Sequence, residues 1–350
     1  MDKPTLRILN TVSSNLGDSL SINQLTERIK GTYGTAFYPN VYRKLQDLKA
    51  QGLVNLSFIG KSSVIKLNFQ NYLLIDFLSE MEIEKKTEFL KKQNNLLSLL
   101  TEMENSLADM SSIMSISSID SARNVKLNRI EFLILLRKTA SYHDETIKLY
   151  NEMRGLQNKY NLRIDSLVLG EDDFSAMLRS DEINPLREAL ARKIVLFCPQ
   201  AFWRKISGIT QETEIKTIPA ETKPAGISNL DLVYNLDRFG YRQFGSPIGQ
   251  GRKLCIEYVT TALLLKGDAR RLMAIPVILA KNTFRGNLLA FLSQKFGTAG
   301  KLLGLLRALS RIKPAREIGE TIAILETFNV EEIPADERNI LQKMRLYNAA

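Results

Sequence analysis

The stretch that decides the fold is Met114 to Leu136, MSISSIDSARNVKLNRIEFLILL. It reads as a strand ending at Ile116, a small-residue turn at Ser117-Ser118, a short polar helix, and a second strand from Ile130 to Leu136. The second strand is a nearly unbroken apolar run, as expected of a strand covered on both faces. At its entrance stand two residues of opposite charge, Arg129 and Glu131, two positions apart and so on one face of the strand.

Outward from this core, the spacing predicts a helix over Ser141 to Tyr160 and a strand over Leu162 to Leu169 that carries Asp165. The acidic turn Glu171-Asp172-Asp173, a helix from Pro185 to Lys193 and the apolar Ile194 to Phe197 follow. Strands alternating with helices across short turns predict an α/β unit over 111–207, with Trp203 anchoring its end.

The order and spacing of these elements over about residues 95 to 200 resemble the minimal nucleotidyltransferase family related to polymerase beta. In that family a hydrophobic-Gly-Ser turn precedes an Asp-x-Asp on the next strand, and a later strand brings a third carboxylate. Ser117 stands where the family has Gly, Ser118 matches its Ser, Arg129 and Glu131 replace the two Asp, and Asp165 falls at the third position. The resemblance implies two divalent cations that clamp a nucleoside triphosphate. Arg129 sets a permanent positive charge where the first ligand belongs, and Ser117 puts a Cβ where phosphate approaches backbone. The expected result is a catalytically degenerate domain without metal or cofactor, in which Glu131 and Asp165 neutralise Arg129. Two alternatives stand beside it. Arg129 with Ser118 binds a phosphate directly, or the domain is an active transferase that uses magnesium and a nucleoside triphosphate, acting on nucleic acid or protein in the manner of a toxin.

The N-terminal 69 residues carry a different pattern. Apolar residues at helical spacing begin after Pro4, again after Ser21, and again from Tyr38 to Gln51, where Val41, Leu45 and Leu48 share a face. Two short strands, Leu53 to Ile59 and Ser63 to Leu67, then flank Gly60-Lys61. Three helices and a hairpin resemble a winged helix-turn-helix, in which the third helix enters the major groove and the hairpin tip reaches the backbone. That resemblance implies contacts to double-stranded DNA from Tyr38, Asn40, Tyr42, Arg43 and Lys44, with Lys61 at the wing tip. Residues 70–110 contain no Pro or Gly and predict a connecting helix, single or broken, which is also a candidate homodimer seam.

The chain has 350 residues, 44% of them hydrophobic and 25% charged, enough for a sizeable core and three domains. Its formal charge of +10 is unevenly spread. Residues 1–68 hold nine Lys/Arg against four Asp/Glu, residues 69–245 hold 23 against 25, residues 246–316 hold 13 against two, and residues 317–350 hold three against seven. Basic excess at two separated places points to a polyanionic partner. After a polar linker at 208–228, a basic helical bundle is expected over 229–350. Arg252, Lys253, Arg270, Arg271, Lys281 and Arg285 form its candidate second DNA-binding patch, since only Glu257 and Asp268 oppose the cations of this segment nearby in sequence. The glycine-rich run Phe244 to Lys253 offers backbone amides to phosphate, and the acidic tail from Glu317 to Ala350 either covers the basic patch or, as expected here, is solvated.

No apolar run approaches the roughly 20 residues of a membrane span, and no secretory signal opens the chain, so a cytoplasmic location is expected. Cys198 and Cys255, with the single His143, offer no zinc-ligand spacing and read as buried apolar residues. The three-part order resembles prokaryotic, especially archaeal, proteins that join a winged helix to a nucleotidyltransferase-like domain. The expected fold is α+β and multidomain, and the expected role is a DNA-binding transcriptional regulator or chromatin-associated factor.

Overall fold

The computed structural model describes residues 1–60, 62–91, 93–119, 129–218, 222–242, 249–267 and 269–350. Lys61, the polar segment with Asp120 before Arg129, Phe244 to Ile248, Asp268 and the Arg270 side chain lie outside the described residues.

Asp2 starts the first helix, α1 (Lys3–Ser13), by accepting a hydrogen bond from the Thr5 amide at 2.8 Å. A two-residue strand, β1 (Leu20–Ser21), leads into α2 (Ile22–Tyr33), where Ser21 and Gln24 cap each other reciprocally. Gly34, at a φ of 86°, ends α2. Then come α3 (Tyr38–Ala50), β2 (Val54–Ile59) and β3 (Ser62–Leu67), and the three strands form an antiparallel sheet in the order β1-β3-β2. The sequence pattern showed only the hairpin, because two residues are too few to display alternation. Ile8, Leu9, Leu25, Leu45, Leu48 and Ile65 fill the core beneath.

The connecting segment is two helices, α4 (Leu73–Lys91) and α5 (Asn94–Leu107). Leu74, Ile75, Leu78 and Met81 of α4 are buried against this chain's own elements, among them α1. Leu73 and Ile83 of α4 and Leu97 of α5 stay exposed on the segment that the sequence offered to a second copy.

The second sheet is built from β4 (Ile113–Ser118), β5 (Arg129–Leu136), β6 (Arg163–Gly170) and β7 (Ile194–Phe197), in the order β6-β5-β4-β7. β5 and β6 are parallel, joined by α6 (Tyr142–Tyr160), and β4 runs antiparallel to both of its neighbours. Between β6 and β7 lie α7 (Glu171–Arg179) and α8 (Pro185–Arg192), and α9 (Pro199–Glu212) follows β7. α4 packs on β7 and α9. Ser117 and Ser118 are not a turn, as expected from sequence, but the buried end of β4, paired with β5 and β7 on either side. Small polar residues between two apolar strands are tolerated there because backbone pairing, not side-chain volume, fixes the strand. Cys255 is buried as expected, whereas Cys198 is exposed, in a left-handed backbone conformation just before α9.

Residues 208–212, read as linker, close α9, and residues 213–218 run back over the N-terminal sheet. The Thr217 amide donates to Leu16 O at 2.9 Å, and Gly17, at a φ of 76°, lets Ile215 O approach where a Cβ would collide. The remaining chain is helical: α10 (Asn229–Arg238), α11 (Ile256–Lys266), α12 (Ala269–Leu272), α13 (Ala274–Lys281), α14 (Gly286–Lys295), α15 (Ala299–Ile312), α16 (Arg316–Thr327) and α17 (Glu337–Leu346). α14 lies against the edge strand β6 and α16 against α6, so the helical region covers one side of the α/β unit. The chain is thus a mixed α and β protein, and among the described residues no helix is long and apolar enough to cross a membrane.

Candidate functional site

Register decides what the charged residues of β5 and β6 can do. Arg129 pairs with Arg163 and Glu131 with Asp165, so two like-charged rows stand side by side on one face of the sheet. Like charges directly opposite repel, and attraction has to run along the strands and across the diagonal. It does. Arg129 Nη2 lies 2.9 Å from Glu131 Oε1, Arg163 Nε lies 3.2 Å from Asp165, and Arg129 Nε lies 2.6 Å from Asp165 Oδ2. The last contact is an ion pair rather than an aligned hydrogen bond.

The helical region completes the cluster. Lys295, the last residue of α14, sets its ammonium 2.9 Å from Glu131 Oε2. Carbonyls at the same helix end accept from both arginines, Lys295 O from Arg129 at 3.4 Å and from Arg163 at 3.2 Å, and Gln294 O from Arg163. The negative end of α14 therefore rests on the two guanidinium groups. Glu131 and Asp165 are buried, and three cations contact them.

A divalent pair would need these carboxylates to face an open position, and they face fixed positive charges instead. A guanidinium carries a fixed positive charge that a divalent cation cannot share. The residues present do not fit the two-cation site that the nucleotidyltransferase resemblance implies. Among the described residues, no three His, Cys, Asp or Glu side chains are grouped to hold a metal ion. The serines divide as well. Ser117 pairs with Leu133 and shares the face of Glu131, whereas Ser118 pairs with Phe132 and points to the other face, away from the cluster. The alternative in which Arg129 joins Ser118 around a phosphate would need both on one face, and they lie on opposite faces.

At α3, about 100° per residue separates the expected DNA contacts into two flanks. Tyr38 and Tyr42 stack, with centroids 6.1 Å apart and planes at 19°. Asn40 and Lys44 lie roughly half a turn away, toward α1. Asn40 lines a cavity of about 200 Å³ with Arg7 and Phe37, and Lys44 is bound to Asp2 at 2.6 Å. Arg43 projects into solvent between the flanks. Burial works against the Asp2 carboxylate, but hydrogen bonds from Lys44 and Thr5 outweigh it and hold the group at about 2.

The second basic patch is less open than its sequence implied. Arg252 is held by Asp231 at 2.9 Å, Lys253 by Asp181 at 2.6 Å and Arg285 by Asp173 at 3.4 Å, while Arg271 donates to Asn229 at 2.9 Å and Lys281 to Gly240 O at 3.4 Å. Farther on, Arg307 binds Glu326 at 2.7 Å and also Glu332, and Arg311 binds Glu337. The acidic tail lies on the basic helix α15 rather than being solvated. Neutralising partners came from segments that counting charges within residues 246–316 left out.

Sequence reasoning missed Arg163 and Lys295, and with them a buried ion cluster where α4 meets β7. Glu82, fully buried, binds Lys85 at 3.2 Å and Lys193 at 3.4 Å and accepts the Val195 amide at 3.0 Å. Lys193 lies 4.3 Å over the Trp203 ring, and burial pulls its ammonium down to about 8 despite Glu82. A Glu on an otherwise apolar stripe of α4 was the available signal.

No protein-family model matches this chain, and no curated protein or solved structure matches it.

Proposed function

We propose that the chain binds double-stranded DNA through its N-terminal unit and that its α/β unit serves as a scaffold rather than a metal-dependent transferase. The observation that carries the reading is the surface of α3. Its exposed side is polar and aromatic, with Arg43 at its centre, on a three-helix, three-strand arrangement whose segment holds nine Lys/Arg against four Asp/Glu. An exposed arginine reads guanine edges or phosphate, and the net positive charge favours a polyanion. The scaffold role rests on the cation cluster around Glu131 and Asp165, which leaves neither carboxylate available to ligate metal. Regulation or organisation of DNA is the role that fits such an arrangement.

Fluorescence anisotropy on a labelled duplex tests the binding. Affinity is expected to fall about tenfold or more between 50 and 200 mM salt, because contacts to phosphate release counterions. Absence of binding at 50 mM salt, or an affinity flat across that range, overturns the reading.

A further inference from the structure

Among the described residues, every exposed aromatic side chain falls within residues 37–72. Phe37 is 68% exposed, Tyr38 and Tyr42 are each 44%, Phe58 on the β2–β3 hairpin is 81%, and Tyr72 is 62%. The other described rings are covered or half-covered, so exposure concentrates in the N-terminal unit and the residues just after it.

Tyr38 and Tyr42 are one helical turn apart on α3 and hold their planes within 19° of each other. Lys49 lies on the same line of the helix, two turns beyond Tyr42, and Arg43 and Gln46 lie beside it. The result is a track of two parallel π faces followed by cations and an amide. It is not a contiguous apolar patch, which an apolar protein groove would require. A matched duplex presents only base edges in its grooves and hides the base faces in the stack. Parallel rings beside cations match what an unpaired strand offers, which is base faces to stack upon and phosphates to neutralise.

We infer that the DNA bound by this chain has locally unpaired bases, which stack on Tyr38 and Tyr42 while Arg43 and Lys49 take the adjoining phosphates. This rests on α3 being the nucleic-acid face proposed above, and it adds the state of the DNA that the face selects.

The test compares a matched duplex, the same duplex with a three-base bulge, and the single strand, each titrated with the full chain by fluorescence anisotropy. The bulged duplex and the single strand are expected to bind at least tenfold more tightly than the matched duplex. Tyr38→Leu and Tyr42→Leu are each expected to lose about 5- to 150-fold on the unpaired substrates and little on the matched duplex. Tyr→Phe at either position, which keeps the ring, is expected to bind as the natural chain does. Both side chains are exposed, and an unchanged melting temperature of each variant confirms folding. Equal or tighter binding of the matched duplex overturns the inference and leaves the DNA-binding reading standing, whereas failure of all three substrates to bind removes both. Leucine variants that bind every substrate normally but turn a dimer into a monomer make the face a protein contact, which also overturns it.

Discussion

Arg129 reaches from β5 toward β6 and sets its Nε 2.6 Å from Oδ2 of Asp165, although strand register places it opposite Arg163. The diagonal contact relieves the repulsion between the two arginines, and Lys295 does the same for the two carboxylates from outside the sheet. Because Lys295 ends α14, the cluster also fastens the helical region to the edge of the α/β unit. A position that the nucleotidyltransferase layout would give to metal thus becomes a joint between two parts of the chain.

Arg129→Asp tests how far the cations exclude metal. It places a third carboxylate beside Glu131 and Asp165 while Arg163 and Lys295 stay in contact with them. The single variant is expected to lose about 3 kcal/mol of stability and to bind Mn²⁺ no better than the natural chain by calorimetric titration. Adding Lys295→Ala frees Glu131, and that double variant is expected to bind Mn²⁺ and to melt at a higher temperature with it than without. Tight Mn²⁺ binding by the single variant means Lys295 does not guard the site.

The buried cluster of α4 predicts an asymmetry between its partners. Glu82→Leu leaves the buried Lys193 and the half-buried Lys85 with no counter-charge from Glu82 and is expected to cost about 3–5 kcal/mol in denaturant unfolding. Lys193→Met leaves Glu82 with Lys85 and the Val195 amide, and is expected to cost much less. The pH dependence has a definite sign. Lys193 loses its proton near pH 8 in the folded chain and near 10.5 when unfolded, so over that window the unfolded state holds the extra proton and stability rises with pH. The gain is of order 3 kcal/mol and is expected to vanish in Lys193→Met, read as the difference between the two proteins from pH 8 to 10. An unchanged difference across that range sinks the assignment.

Much of this architecture was legible because apolar periodicity reports local structure. The runs Ile130 to Leu136 and Leu162 to Leu169 gave two strands, the residues between them gave the helix α6, and Val41, Leu45 and Leu48 gave α3. The ion pairing of Arg129 with Glu131 and Asp165 was also expected, because the resemblance to the nucleotidyltransferase layout implies that all three positions meet at one site. What stayed hidden depends on distant segments meeting. Nothing in the sequence near Glu131 announces Lys295, 164 residues away. Ser117 and Ser118 look like a turn because small polar residues usually mark one, and here the pairing of β4 with both β5 and β7 overrides that preference.

Close packing of the tail on α15 depends on two glycines. A Cβ at Gly300 would strike Glu331 O, and one at Gly304 would strike Ile333 O, while the Ile333 amide donates to Gly300 O at 3.1 Å. Gly304→Ala is expected to lift residues 331–334 from the helix, lower the melting temperature by several degrees and open that segment to limited proteolysis. Gly319→Ala, in α16 where nothing lies within 4 Å of a new Cβ, is expected to stabilise by about 0.5–1 kcal/mol. Equal effects at the two positions mean that helix propensity, not the close approach, governs both.

Arg43 and Lys44 are neighbours in sequence with different expected parts in DNA binding. Arg43 is exposed and its guanidinium is open to phosphate or guanine, so Arg43→Ala is expected to weaken duplex binding about tenfold and to reduce the salt slope by about one. Lys44 clasps Asp2, the cap of α1, so Lys44→Ala is expected to leave the salt slope unchanged. The stability lost with that clasp is small, within about 1 kcal/mol, because both groups are partly open to solvent. Its pH dependence follows from Asp2 at about 2, below its ordinary value of 3.8: the clasp contributes fully above the ordinary value and is lost as pH falls toward 2. An equal drop in salt slope for the two variants places Lys44 on the phosphate backbone, with its bond to Asp2 given up when DNA arrives.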